Sequence, residues 1–376
     1  RSLELPIKIL LDAFENIYIV NYFNKNNGNF ILHDGDVWAW GNNNNYGQLG
    51  LGDKRTDRST PEKVASLSGV KAIAAGNEHT LFLHIDGTVS AVGRNHRGQL
   101  GLGDDAETEY LTPQKVQQQD ENGNLIDLTS VKEIAVVGTS TSNNEVHRTV
   151  FLHENGTVSV VGSNDFYQPH PATDFHTPQK VQQHDENGNL IDITGVKTIR
   201  MGYAHTVFLH FDGTVSTVGS NGNGQIGQGT SSARTVYLPK KVVGRNGTGN
   251  LSGVEAIAAG RSHTVCLHSD GTVSVFGFHG DGALGLGDNS DRYTPAQITS
   301  LSDIQAIEAR HTHTFFLHRD GTLSACGSNW DGKLGLGDTV EATTPMKVSG
   351  LNNVAQIKTY VEYSLIRIDN SIYYSG

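Results

Sequence analysis

Apolar and polar positions alternate in short bursts along the whole chain, and most bursts end at a glycine or an Asp-Gly or Asn-Gly pair. In VKAIAAGNEHTLFLH, Val70 to His84, the period-2 pattern breaks at Gly76 and then resumes, which predicts two strands joined by a short connection. The next residues, IDGTVSAVG, place Asp86 and Gly87 between two alternating runs. That is a hairpin signal, because a type I′ turn needs positive φ at its central residues. The strands are designated A (VKAIAAG), B (HTLFLH) and C (TVSAVG).

The pattern recurs. Hairpin turns follow His33, His84, His153, His210, His268 and His318, and a seventh copy, RIDNSIYYSG, begins at Arg367 and ends the chain. Downstream of each glycine-rich stretch comes a fourth segment: TPEKV at Thr60, TPQKV at Thr112 and Thr177, LPKKV at Leu238, TPAQI at Thr294 and TPMKV at Thr344. This is strand D, and its proline marks a sheet edge. Four antiparallel strands repeated in tandem describe a propeller blade. The expectation is an all-β, seven-bladed β-propeller spanning residues 1–376 as one domain. The seventh copy stops after strand C, whereas LPIKI, Leu5 to Ile9, matches strand D. Residues 1–9 are therefore expected to supply the outer strand of blade seven, closing the ring and hiding its edges, with NIYIVNYF from Asn16 as strand A of blade one.

Glycine-rich stretches such as GNNNNYGQLGLGD at Gly41 and GRNHRGQLGLGD at Gly93 raise the possibility of a phosphate loop. Such a loop needs its glycines between a strand and a helix N-terminus. Here the stretch returns at Gly219, Gly277 and Gly327, always between strands C and D, so it reads as scaffold whose glycines allow tight packing and positive φ. Histidines repeat with the blade as well: His79, His147, His205, His263 and His313 open strand B, and His33, His84, His153, His210, His268 and His318 close it. They read as hydrogen-bonding scaffold. His311 alone departs from the pattern, and with no third ligand evident it makes no zinc site.

Composition narrows the function classes. A net charge of −11 with no basic run disfavours direct nucleic-acid binding. No window approaches 18 uncharged apolar residues, so no membrane span is expected. The two cysteines, Cys266 and Cys326, each sit in an apolar strand pattern and read as reduced core residues. Arg1 rather than methionine opens the chain, consistent with a segment of a longer protein, and a targeting signal could lie outside it. No convergent set of unique nucleophile, base and oxyanion groups departs from the repeat, so neither an enzyme nor a cofactor is expected.

The tandem GQLGLGD, GNEHTLFLH and DGTVSAVG motifs resemble those of the regulator of chromosome condensation repeat family, whose members are seven-bladed propellers. The resemblance covers essentially the whole chain. It implies several possible roles, since members include the nucleotide exchange factor for the Ran GTPase, propeller inhibitors of β-lactamase, a plant ultraviolet receptor and bacterial effectors.

Recognition is expected where the repeats disagree. The A–B connections differ most: GNEH at Gly76, GTSTSNNEVH at Gly138, GYAH at Gly202, GRSH at Gly260 and RHTH at Arg310. The C–D loop of blade three, Ser163 to His176, abandons the glycine pattern and offers Asp165, Phe166 and Tyr167, read either as an aromatic anchor or as a decayed repeat. In the Ran exchange factor, the resemblance implies, the GTPase meets acidic A–B positions before the strand-B histidine and a wedge from the blade-three C–D loop. Carried over residue by residue, this points to Glu78 before His79, Glu145 before His147, and Asp165, Phe166 and Tyr167 in the wedge-equivalent loop. Arg94 and His96, in the C–D loop of blade two, complete the expected partner-binding set. The match is loose, because Glu stands where Asp is expected and Ala204 and Ser262 occupy later copies. The near-duplicate insertions QQQDENGNLIDLT (within 117–130) and QQHDENGNLIDIT (within 182–195) are expected to be hairpins on the opposite face, either acidic decoration or a second contact site. The functional expectation is a monomeric protein-interaction propeller that binds a small GTPase and promotes nucleotide exchange. The alternative is a binding or inhibitory propeller for another protein. Asparagine-rich composition suggests a bacterial effector in host cytoplasm, and otherwise a cytoplasmic protein.

Overall fold

A computed structural model describes residues 28–375 except 44–45, 77, 104–108, 142–143, 165–173, 231–233, 360–363 and 370. The expected strands at 5–9 and 16–23 lie outside these residues. Two compact units are present, which among the described residues are 28–196 and 197–375. Each is built from antiparallel sheets connected in simple up-and-down order, and among the described residues there is no α-helix, only a short 3-10 turn at Gly280–Gly282. Five sheets have four strands; those at the two ends of the described chain have three.

The second repeat shows the pattern: strand A is Val70–Ala75, B His79–His84, C Val89–Arg94 and D Glu109–Lys115. Strand B is buried at every position. Both of its faces are covered, one cluster joining Leu81 and Leu83 to Val131 and Phe151 of the third repeat, another joining Phe82 to Phe30 and Leu32 of the first. Each such side chain removed from water contributes about 1.5–3 kcal/mol. In the other unit, the same layering packs Val265 and Leu267 against Ile304 and Phe316. Strand D stays at the partly exposed edge, where Pro113 costs no ladder bond.

Turn chemistry departs from expectation. The first hairpin is type I′, with φ +48° at Asp34 and +82° at Gly35, and the last, between Ile368 and Ser371, also opens on a left-handed residue, Asp369 at φ +49°. At Asp86-Gly87 the glycine alone has positive φ, and Thr88 N–H and Oγ1–H both donate to Asp86 Oδ1. The longer loop is a type I turn closed by a left-handed glycine, and the threonine hydroxyl is what the aspartate side chain selects. The GTSTSNNEVH segment also differs. Instead of a loop, its backbone extends strands A and B, which run over Val131–Thr141 and Asn144–His153 and pair as far as Thr141 with Asn144.

Both insertions form two-stranded hairpins, Gln117–Gln119 with Leu125–Asp127 and Gln182–His184 with Leu190–Asp192. Asp120 and Asp185 organise their turns, accepting from the backbones of Asn122 and Asn124 and of Asn187 and Asn189. Those donors, with the Asn124 and Asn189 side chains first, hold both carboxyls below the usual aspartate range.

The glycine-rich loops stitch repeats together. Gly52 N–H donates to Leu111 O and Gly103 N–H to His176 O in one unit, and Gly229 to Tyr293 O and Gly287 to Thr343 O in the other. In four of the loops an asparagine side-chain carbonyl accepts from a leucine or isoleucine amide, as Asn43 does from Leu49, Asn95 from Leu100, Asn221 from Ile226 and Asn329 from Leu334; the loop from Gly277 has His279 in that place. These amides are committed to protein acceptors, which accounts for the repetition without a phosphate.

Candidate interaction site

The strand-B histidines are consumed by the scaffold. His84 places Nδ1 3.0 Å from Ser68 O and Nε2 2.8 Å from Ser90 Oγ, tying strand B to strand C, and His268 repeats this with Ser252 and Ser274. At the other end of the strand, burial drives His79 down to about 3, with His96 adding repulsion, and holds His205 at about 4 and His263 at about 3. Among the described residues no group of three or more His, Cys, Asp or Glu is placed to hold a metal. Cys266 and Cys326 are free and buried, and burial pushes the Cys266 thiol up to about 12.

Within residues 28–196, Glu78, Arg94 and His96 do come together. Gly93 makes this possible: its φ is +108°, and a Cβ there would lie 2.3 Å from Glu78 O. Strand C can thus close on the A–B connection, and Arg94 N–H donates to Glu78 O at 2.8 Å. The side chains follow, with Arg94 Nη1 2.7 Å and His147 Nε2 3.3 Å from Glu78 Oε2. Arg94 also lies over the Tyr46 ring at 4.8 Å, and His96 meets the His147 ring edge-on at 5.3 Å. Glu78 is only 8% exposed. The expected free rim carboxylate is instead a buried acceptor already neutralised by arginine. Glu145 lies on extended strand B opposite Ser140, and Asp165, Phe166 and Tyr167 lie outside the described residues.

Within residues 197–375 the A–B position one residue before the copies of Glu78 (Ala204, Ser262 and Thr312) holds Tyr203, Arg261 and His311 in three successive repeats, and these converge. Tyr203 N–H donates to Arg261 O at 3.2 Å and Arg261 N–H to His311 O at 2.7 Å. The Arg261 guanidinium lies 5.5 Å from the Tyr203 ring centroid, and the Tyr203 and His311 rings are 6.0 Å apart. In the sixth repeat Arg310 replaces the glycine that follows strand A in the fourth and fifth, Gly202 and Gly260. There the strand runs one residue further and pairs with His313, which forces His311 to φ +46°. Burial, then Arg261 and Lys333, lower His311 to about 4. Lys333, whose charge is felt at His311, is wholly buried, with Nζ 3.1 Å from Asp331 Oδ2, and Trp330 stands 63% exposed over it, its ring 4.8 Å from Nζ. The regular glycine pattern of GSNWDGKLGLGD concealed this tryptophan from sequence reasoning; its single aromatic was the available signal.

Tandem four-stranded sheets, a histidine and glycine scaffold that repeats with them, and side-chain variation concentrated at the strand-A-to-B end define a β-propeller repeat protein. The chain belongs to the regulator of chromosome condensation (RCC1) repeat family. The family profile matches residues 34–83, 86–136, 212–267, 270–317 and 320–360, and a second profile of the same repeat matches 70–99, 196–225 and 254–283. Neither covers 137–195, the stretch with the lengthened A–B ribbon. Among curated proteins the chain is similar to the ultraviolet-B receptor UVR8 of Arabidopsis thaliana, 29% identical over 266 residues, 69% of this chain and 52% of that one. It is also 31% identical over 254 residues to the probable E3 ubiquitin-protein ligase HERC6 of Homo sapiens, 66% of this chain and 22% of that one. The matched part is thus about half of one relative and about a fifth of the other. Similar solved structures include yeast RCC1 (Prp20) bound to Kap60, with TM-score 0.68, 20% identity and coverage of 93% of this chain and 78% of that one. Prp20p of Saccharomyces cerevisiae, described with its binding to Gsp1p and histones, matches with the same TM-score and identity over 93% of this chain and 80% of that one. At such identity the likeness shows the fold alone.

Proposed function

We propose that this chain is a protein-interaction propeller that engages a small GTPase of the Ran type and promotes guanine-nucleotide exchange. In this reading residues 1–376 form one seven-bladed domain, closed by residues 5–9 as the outer strand of blade seven. It works as a monomer, without cofactor or enzymatic group, in the cytoplasm, which is that of a host cell if the protein is a bacterial effector.

The observation that carries the reading is the division of labour among side chains. Repeating histidines, asparagines and glycines are spent on strand and loop bonds, while the residues that vary cluster at the A–B and C–D connections. Similarity to Prp20p, a protein described with its binding to Gsp1p, supports a GTPase as partner. Exchange is a change of affinity: a protein that binds the empty GTPase better than the loaded one accelerates release. Glu145 and Asp165 would favour the empty site by attraction to its phosphate-binding lysine, and Phe166 and Tyr167 would act as the wedge.

The Glu78–Arg94 pair favours the second reading, a binding propeller without exchange activity, because a neutralised carboxylate repels phosphate poorly. Release of a fluorescent GDP analogue from purified Ran, then from other small GTPases, tests the proposal with wild type and with Asp165→Ala plus Phe166→Ala. Acceleration lost in the double variant supports exchange through the wedge. No acceleration on any GTPase leaves the plain binding propeller.

A further inference from the structure

We infer that the Tyr203–Arg261–His311 edge, together with Trp330, is a docking surface for an acidic protein segment that carries an apolar side chain next to its carboxylates. The inference rests on the reading of the chain as a protein-binding propeller and adds the chemistry of what residues 197–375 recognise.

Charge complementarity sets the sign. The whole chain carries −11, yet the varying A–B position in these three repeats supplies tyrosine, arginine and histidine and no carboxylate. Of the acids nearby, Asp331 pairs with Lys333, while Asp281, which accepts from Thr312 Oγ1 at 3.0 Å, keeps its charge but counts for less at His311 than Arg261 and Lys333 do. Arg261 is exposed, supported by the Tyr203 ring, and among the described residues no carboxylate pairs with it. Its guanidinium is therefore a fixed donor fork for an incoming carboxylate.

Trp330 supplies the apolar part. An indole 63% exposed is costly to leave in water, and this one is held from beneath by a buried ammonium that is itself ion-paired. A rigid aromatic held on a buried ammonium loses little entropy when covered, which is the character of a binding hot spot. The left-handed His311, a non-glycine residue in a sparsely populated region, keeps the edge in this shape.

The experiment uses the whole protein and three synthetic peptides: alternating glutamate and phenylalanine, lysine in place of glutamate, and alanine in place of phenylalanine. Calorimetry and tryptophan emission are read at low and high salt. Only the glutamate–phenylalanine peptide should bind, with affinity that falls as salt rises, and Arg261→Glu and Trp330→Ala should each weaken it about tenfold or more. Both side chains are exposed, so unchanged melting temperatures confirm folded variants. Equal binding of the lysine peptide, indifference to both substitutions, or sedimentation showing a second copy of the chain on this edge overturns the inference. GDP release from Ran, measured in parallel, separates the two readings: acceleration retained by variants whose parent fails to bind the peptide sinks this surface and leaves exchange standing.

Discussion

His205 Nε2 lies 3.1 Å from Thr264 Oγ1 in the next repeat, and Thr264 donates its hydroxyl proton to Gln225 O at 3.0 Å. With the proton spent on the carbonyl, the hydroxyl can only accept from the ring, so His205 is the neutral Nε2–H tautomer. His263 with Thr314 and Ala283 O, and in the other unit His79 with Thr149 and Gln99 O, repeat the relay. Replacing Thr264 by valine keeps the shape and strands two buried polar groups, so a loss of about 1–3 kcal/mol is expected in urea unfolding. A change within a few tenths would mean that water replaces the hydroxyl.

The same burial fixes the response to pH. Folded His79, His205 and His263 titrate at about 3, 4 and 3, below the ordinary histidine value of 6.5. Below that value the unfolded chain takes up protons that the folded chain refuses. The stability these groups provide is thus present above pH 6.5 and is lost as pH falls towards 4 and 3. Each costs about 1.4 kcal/mol per pH unit, so the three together lose about 4 kcal/mol per unit. Chemical denaturation should show a shallow slope at pH 7 that steepens through 6.5 and approaches this value near pH 5, and a flat profile would contradict buried neutral histidines.

How much of this the sequence discloses depends on whether a residue repeats. Strands B and C, the hairpins and the scaffold histidines were legible because each copy checks the others: a phosphate or metal site would not recur with every blade. Turn class was not, since Asp-Gly suits both type I′ and a type I turn with a left-handed glycine, and the choice at Asp86 rests on the Thr88 hydroxyl. Nor was the state of Glu78, whose partner Arg94 is brought in by a bend at Gly93 that alternation does not encode. Trp330 looked like one more loop residue because its neighbours obey the pattern.

Glycines separate into those that need only a backbone conformation and those that also need space. Gly219 has φ +119°, and a Cβ there would sit 2.3 Å from Ala204 O; Gly123, at φ +81°, has nothing within 4 Å. Gly219→Ala must move strand C away from the A–B connection and should cost about 3 kcal/mol or more, whereas Gly123→Ala should cost about 1 kcal/mol from φ strain alone. Thermal melts of the two variants provide the comparison. Equal losses would show that the close approach at Gly219 relaxes without cost.

Buried pairing at Glu78 dictates how its role in binding must be probed. Charge reversal would set a cation against Arg94 inside a site with almost no access to water, so lost binding would only report lost folding. Glu78→Gln keeps the shape but leaves the Arg94 charge without its partner, and Arg94→Ala leaves a carboxylate beside His147. Breaking one side of such a pair costs about 3 kcal/mol, whereas the double variant Glu78→Gln, Arg94→Met removes both charges and should recover most of that. If Glu78 acts only within this cluster, the folded double variant binds its partner, or releases GDP from Ran, as wild type does. If the carboxylate instead leaves Arg94 to meet the partner, the double variant melts near the wild-type temperature yet loses that activity. Exchange kinetics and melting, measured on the same preparations, decide between them.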